Sequence, residues 1–208
     1  VIGEHHTTVD LIRHGEPVGG KRFRGQSDDP LSETGWAQMR AAVAGATPWT
    51  AVVTSPLTRC RAFAEALAGE RDLPLRVEPD FREIGFGEWE GRTHAEVEAA
   101  EPHALRAFRA DPAGHRPPGA EPVGDFRARL AAAWERLLAA EGDGHVLLVA
   151  HAGVIRGLVA GLLEAPDHAL FRMSVGYASL TRLAVHELDG DVWPQIVTHA
   201  APLPEAQT

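Results

Sequence analysis

Short apolar stretches alternate with longer amphipathic ones along most of the chain. Residues 7–13 (TTVDLIR) combine β-branched and apolar residues in a short run, the pattern of a strand. Residues 50–56 (TAVVTSP) repeat it and are stopped by Pro56, and LPLRVEP (73–79) gives a third short strand. The run HVLLVAHAG (145–153) is apolar without alternation, as for a strand covered on both faces. Between these runs the period changes to that of a helix. One helix enters near Ser32 or Glu33, with Trp36, Met39 and Val43 on one face. Another carries Cys60, Phe63 and Leu67 at spacings of three and four, and a third carries Val123, Phe126, Leu130, Trp134 and Leu137. VIRGLVAGLL (154–163) is apolar nearly all round and predicts a buried helix. The segment SLTRLAVHELDGDVWPQIVTH (179–199) predicts two strands joined through Asp189 and Gly190, and PLPEAQT (202–208) a frayed end.

Strand and helix in alternation predict an α/β fold with a central sheet and helices on both faces. No repeat and no linker divides the chain, so residues 1–208 read as a single domain. Residues 79–122 are rich in Gly, Pro and charge, with short helical pieces around 93–110. They read as an insertion covering the active-site face, because long irregular segments in compact domains are usually functional. A chain of 208 residues can bury roughly 70% of its unfolded surface, enough for one sizeable core.

Composition narrows the function. A net charge of −9 argues against nucleic acid, whose binding needs an excess of Lys and Arg. No run approaches the roughly 20 apolar residues of a membrane span, and no basic-then-apolar leader is visible. A single cysteine, Cys60, cannot close an internal disulfide. These features predict a cytoplasmic protein.

Candidate chemistry follows from position. His14 ends VDLIRH, Arg59 follows AVVTSPLT, and His151 ends VLLVAH, each just past a predicted strand. In α/β sheets that edge is where ligands bind. Three distant stretches therefore converge on one crevice. Arg13 and Arg59 offer forked donors suited to phosphate oxygens, and HAG (151–153) opens a helix whose first N–H groups can hold an anion. A neutral His14 would be a nucleophile toward phosphorus, with Gly15 leaving room beside it. A carboxylate is then needed to protonate the leaving oxygen and later deprotonate water. FREIGFGEWEG (81–91) supplies it, Glu83 being the best placed.

Taken together, LIRHGE, SPLTRC, REIGFGEWEG and VLLVAHAGVIR resemble the histidine phosphatase superfamily, which includes cofactor-dependent phosphoglycerate mutases. The resemblance spans about Asp10 to Leu162. It implies a phosphoglycerate mutase-like fold, a three-layer αβα sandwich with a mostly parallel sheet. It also implies His14 as the phosphorylated nucleophile, Arg13, Arg59 and His151 around the phosphoryl group, and Glu83 as proton donor. RGQSDDPLSETGWAQM and SPLTRCRAFAEAL further resemble the α-ribazole phosphatase branch, whose substrate is a phosphorylated cobalamin precursor. Pro17 and Gly20 stand where many members carry Ser or Thr and Asn. Arg22, Arg24 or Gln26 could replace the Asn contact, and Ala152 would use only its backbone N–H.

Rival readings are weaker. Cys60 as a cysteine-phosphatase nucleophile needs an arginine six residues on, where Ala66 stands. Ser55 has no nucleophile elbow around it, though it could donate a hydrogen bond near the crevice. A zinc site at His14, His151 and Glu83 is opposed by the two arginines, and His186 lacks the second histidine of H-E-x-x-H. Trp36, Trp134 and Trp193 are expected in packing. The expectation is a metal-independent, cofactor-free phosphomonoesterase acting on a small-molecule phosphate ester. α-Ribazole 5′-phosphate is one substrate; a sugar phosphatase, a phosphoglycerate mutase and a non-catalytic phosphate-binding module are the alternatives. The edge of the C-terminal hairpin could pair in a homodimer.

Overall fold

The computed structural model describes residues 5–45, 48–188 and 191–201. Six strands, β1 (His5–Arg13), β2 (Ala51–Thr54), β3 (Leu75–Val77), β4 (His145–Ala150), β5 (Leu180–Leu188) and β6 (Asp191–Ala201), form one sheet in the order β3-β2-β4-β1-β5-β6. The first four strands run parallel; β5 pairs antiparallel with both β1 and β6. The α/β expectation holds, with a mixed sheet. The strand predicted over 145–153 ends at Ala150, because His151 takes the extended backbone of a helix cap. The hairpin strands pair as far as Leu188 with Asp191. Its Asp189–Gly190 turn and the tail 202–208 lie outside the described residues.

Among the described residues six α-helices accompany the sheet: α1 (Glu33–Ala42), α2 (Thr58–Arg71), α3 (His94–Ala100), α4 (Ala104–Ala110), α5 (Val123–Glu141) and α6 (Ala152–Leu162). Ser32 caps α1, accepting from the Gly35 N–H at 3.0 Å. Alternate residues of the central strands feed two cores. Val9, Leu11, Val53, Val146 and Leu148 pack with α5 and α6 through Phe126, Leu130, Leu137, Ile155 and Leu158. Ile12, Val52, Leu147 and Val149 pack with α1 and α2 through Met39, Cys60, Phe63 and Leu67. The central strands are therefore covered on both faces, which is why β4 reads as an unbroken apolar run. Trp36 is half-buried against Phe63, and Trp134 is buried. Trp193 departs from the packing expectation: it is 41% exposed on β6, the edge strand, and stacks on His186.

Asp10 is the polar exception inside β1. It is fully buried and accepts from Arg182 Nε (2.7 Å) and Nη2 (2.9 Å), and from Trp49 Nε1 (2.8 Å), with His145 Nε2 at 2.9 Å. Burial alone would raise its carboxyl pKa, but the donors from Arg182, His145 and Trp49 hold it at about 2.

Residues 79–122 contain two single-turn helices, then α3 and α4, around a small core of Trp89, Val97 and Phe108. A capping box between Thr93 and Glu96 starts α3.

Candidate active site

A cavity of about 490 Å³ opens where β1, β2 and β4 hand over to the next elements. Arg13, His14, Arg59, Ala152 and Gly153 reach its wall from those strand ends. The 79–122 segment adds Glu83, Ile84, Phe86, His94 and Phe108.

His14 is buried, with Nδ1 2.7 Å from the Gly15 carbonyl. A carbonyl only accepts, so Nδ1 carries the proton and the neutral ring keeps its lone pair on Nε2. Burial foremost, then the Arg59 and Arg13 charges, push the His14 pKa well below the usual 6.5. His151 is wholly buried, its ring edge-on to that of His14 with centroids 5.2 Å apart. Its Nε2 lies 2.7 Å from Ser55 Oγ, and burial followed by the Arg59 charge lowers its pKa in the same way. Cys60 Sγ sits 3.3 Å from the Ala150 carbonyl and 3.5 Å from His151 Nε2. Burial pushes this thiol far up, so Cys60 packs and does not react.

Arg59 is 1% exposed. Its Nη1 donates to Ser27 O (2.6 Å) and its Nη2 to Gly25 O (2.7 Å), so the fork anchors the 24–29 loop onto α2. Thr58 reinforces that anchor by donating its N–H and hydroxyl to the Asp28 carboxylate (2.6 and 2.8 Å). Arg13 donates Nη1 to Val175 O (2.6 Å) and lies 4.1 Å from the Tyr177 ring centroid. The Nε of each arginine is buried without a hydrogen-bond partner, and among the described residues neither arginine has an ion-pair partner. Buried cations left unpaired are costly, and an anion in the cavity would offset the two charges.

Glu83 is held from two sides. Its Oε2 accepts the Gly153 N–H at the start of α6 (3.1 Å), and Oε1 accepts the Ile84 N–H (3.0 Å). A helix N-terminus favours such a carboxylate. Its carbonyl accepts from Arg129 Nη2 (3.1 Å), and the same guanidinium holds the Arg82 carbonyl (2.8 Å) and the Glu121 carboxylate (2.7 and 2.9 Å). A Cβ on Gly153 would come within 2.2 Å of Glu83 Oε1, so only glycine lets the acid lie there.

Similarity at the level of whole sequences stands beside this site of paired histidines, a docked carboxylate and two arginines. The description "Histidine phosphatase superfamily (branch 1)" fits residues 9–193. The chain belongs to that superfamily. A glucosyl-3-phosphoglycerate phosphatase from Mycolicibacterium vanbaalenii is 37% identical over 194 residues, covering 87% of this chain and 86% of the relative. An adenosylcobalamin/alpha-ribazole phosphatase from Salmonella typhimurium is 31% identical over 170 residues, covering 79% and 84%. The solved structure of a mycobacterial glucosyl-3-phosphoglycerate phosphatase superposes with a TM-score of 0.83 at 32% identity, covering 94% of this chain and 99% of its own. The protein is an enzyme of the phosphatase type, and its architecture is that of these histidine phosphatases.

Within this histidine phosphatase the secondary site residues fare unevenly. Arg22 and Arg24 line the cavity. Arg24 is committed to Asp29 (3.1 Å) and the carbonyls of Val18 and Gly20, and Arg22 to the carbonyls of Gly19 and Gly91. Gln26 is not on the cavity wall; its exposed side chain reaches the Glu83 carbonyl at 3.4 Å, because the Arg59 anchor turns that part of the loop outward. Gly15 also lies off the wall. A Cβ there would stand 2.2 Å from Gly35 O, so its small size admits α1 and not the ligand. Ala152 does line the cavity, but the anion at the start of α6 is Glu83, bound to Gly153. Sequence reasoning passed over Arg129, Arg156 and Tyr177. Of these only Tyr177 carried a signal, as the sole tyrosine of the chain. Among the described residues no helix is long and apolar enough to cross a membrane.

Proposed function

We propose that the protein is a metal-independent phosphomonoesterase that works through a phosphohistidine at His14. The observation that carries this reading is the hydrogen bond from His14 Nδ1 to Gly15 O, which leaves Nε2 unprotonated beside two arginines without anionic partners. The ester phosphate docks against Arg13 and Arg59, with His151, wholly buried and off the cavity wall, behind the His14 ring, and His14 Nε2 attacks phosphorus. The phosphorus–nitrogen bond forms as the phosphorus–oxygen bond to the alcohol breaks. Glu83, protonated when the ester binds, gives that proton to the departing alkoxide. Water then enters, loses a proton to Glu83 and attacks phosphorus, releasing inorganic phosphate and restoring His14.

Two named leaving groups compete. The motifs from Arg24 and Ser55 onward resemble those of α-ribazole phosphatases, whereas the relatives at 36–37% identity are named for glucosyl-3-phosphoglycerate. Phosphate release from a panel holding both esters, sugar phosphates, phosphoglycerates and an aryl phosphate, with chelator present, tests the proposal. His14→Ala should abolish release on every ester; unchanged activity refutes the mechanism. Isomerised phosphoglycerate without free phosphate would instead favour a mutase.

A cytoplasmic location and a single domain over 1–208 complete the reading. The unpaired Cys60 thiol supports the first, and the continuous sheet supports the second. The outer edge of β6 is the face on which a homodimer would form.

A further inference from the structure

The cavity carries more positive charge than one phosphate needs. Arg13, Lys21, Arg22, Arg24, Arg59 and Arg156 line it, against the single carboxylate of Glu83, in a chain whose net charge is −9. Most of these cations are committed. Arg24 faces Asp29, Arg22 is turned onto two carbonyls, and Arg13 and Arg59 belong to the phosphate grip. Arg156 is different.

Arg156 stands on α6 three residues after Gly153 and four after Ala152, so all three share one side of the helix. Its Nε donates to Met173 O at 2.9 Å, which pins the guanidinium against the 173–177 segment. Its terminal amines have no hydrogen-bond or ion-pair partner among the described residues, and they are not sealed from the cavity as the Arg13 and Arg59 Nε atoms are sealed. Glu83 is the opposite charge that acts on it, but both Glu83 oxygens already accept backbone N–H groups. A forked pair of donors, held by its stem and open at its tip, matches a carboxylate. The cavity volume is in the range that encloses a whole small molecule, so the leaving group sits inside it with the phosphate.

We infer that Arg156 is a specificity residue that takes a carboxylate on the leaving alcohol, so that the substrate class is phosphate monoesters of hydroxy acids. The inference rests on the phosphatase reading and goes further by naming what must lie on the other side of the scissile bond. Glu83 lies on the same side of the site as Arg156, so the acid that protonates the leaving oxygen and the cation that holds the leaving group's carboxylate act together.

The test compares 3-phosphoglycerate with glycerol 3-phosphate, which differ by a carboxylate against a hydroxymethyl group, in the unmodified protein, Arg156→Gln and Arg156→Lys. Phosphate release is measured, with an aryl phosphate as a third ester. The unmodified protein should favour the acid by about 10- to 100-fold in kcat/KM, the scale of a hydrogen bond to a charged group. That ratio should collapse toward one in Arg156→Gln and be partly retained in Arg156→Lys, which keeps the charge without the fork. Equal kcat/KM on the two glycerol esters in the unmodified protein overturns the inference. So does a parallel loss on both in Arg156→Gln, which would mean the residue acts through Glu83 or the fold. Turnover of the aryl ester alone overturns the inference and leaves the phosphatase reading standing. No phosphate release from any ester removes both.

Discussion

Replacing Gly153 by alanine isolates the proposed acid, Glu83, from the rest of the site. The new Cβ would lie 2.2 Å from Glu83 Oε1 and 3.0 Å from its Cδ. An unstrained carbon–oxygen contact is about 3.3 Å or longer, so the carboxylate must retreat by about 1 Å. The backbone has no reason to yield, because the clash falls on the end of a flexible side chain. Folding should be unharmed, and a helical Gly→Ala change gains up to about 1 kcal/mol. The retreat lengthens the 3.1 Å bond to the Gly153 N–H and takes the acid away from the leaving oxygen. A displacement of that size costs about 10²-fold in rate, or roughly 2.7 kcal/mol in the barrier. The assay is kcat on an alkyl phosphate and on an aryl phosphate, with inhibition by inorganic phosphate measured in parallel. An alkoxide needs the proton far more than a phenolate does, so the alkyl ester should lose the full factor and the aryl ester less. Inhibition by phosphate should hold within about threefold, since Arg13 and Arg59 are not touched. A variant with unmodified kcat on the alkyl ester would refute the role of Glu83. Equal losses on both esters with weakened phosphate inhibition would show general damage to the pocket instead.

Further outcomes follow from the same geometry. Arg59→Met should lower kcat/KM by at least about 10²-fold, the scale of a single fixed donor to a transition-state oxyanion, and should weaken inhibition by inorganic phosphate. His14 and His151 are held neutral by burial, so below their usual pKa of 6.5 the unfolded chain takes up protons that the folded one refuses. Stability is complete above pH 6.5 and falls as pH drops below it, at up to about 2.7 kcal/mol per unit for the pair, and His14→Gln should roughly halve that slope in urea titrations from pH 8 to 5. Asp10→Asn leaves Arg182 without its carboxylate and should cost about 3 kcal/mol in denaturant unfolding. Arg129→Met removes the donors that hold the carbonyls of Arg82 and Glu83, and should lower both melting temperature and kcat while Arg129→Lys restores part of each.

Much of this site is legible in the sequence because strand ends are. His14, Arg59 and His151 each follow an apolar run, and the rule that ligands collect beyond the C-terminal ends of parallel strands needs nothing else. The order of the sheet is not legible in that way, because it depends on which strands meet across more than a hundred residues. Glu83 could be picked from the acids of its loop, but the N–H that fixes it comes from Gly153, seventy residues away. The start of α6 holds an anion, as its position suggests, and that anion is supplied by the chain itself. Gln26 and Gly15 were close in sequence to the right loops, yet side-chain direction there is set by Arg59 and by the approach of Gly35. Arg156 reads in sequence as one charge on an apolar helix, and only the packing of α6 turns it into the cavity.

The position of β1 in the sheet also fixes when the enzyme can exist during its synthesis. Both neighbours of this first strand, β4 and β5, are encoded in the last third of the chain. At about 5–20 residues per second, β1 waits on the order of 10 s after leaving the ribosome before its first partner emerges. Through that interval Val9, Leu11 and Ile12 have no sheet to enter, and Asp10 has neither His145 nor Arg182. An arrested or clipped product that stops short of β4 therefore holds Arg13 on an unpaired strand and His14 just beyond its end. Such fragments carry the proposed nucleophile and no enzyme, and they offer chaperones and proteases an apolar N-terminal segment to seize.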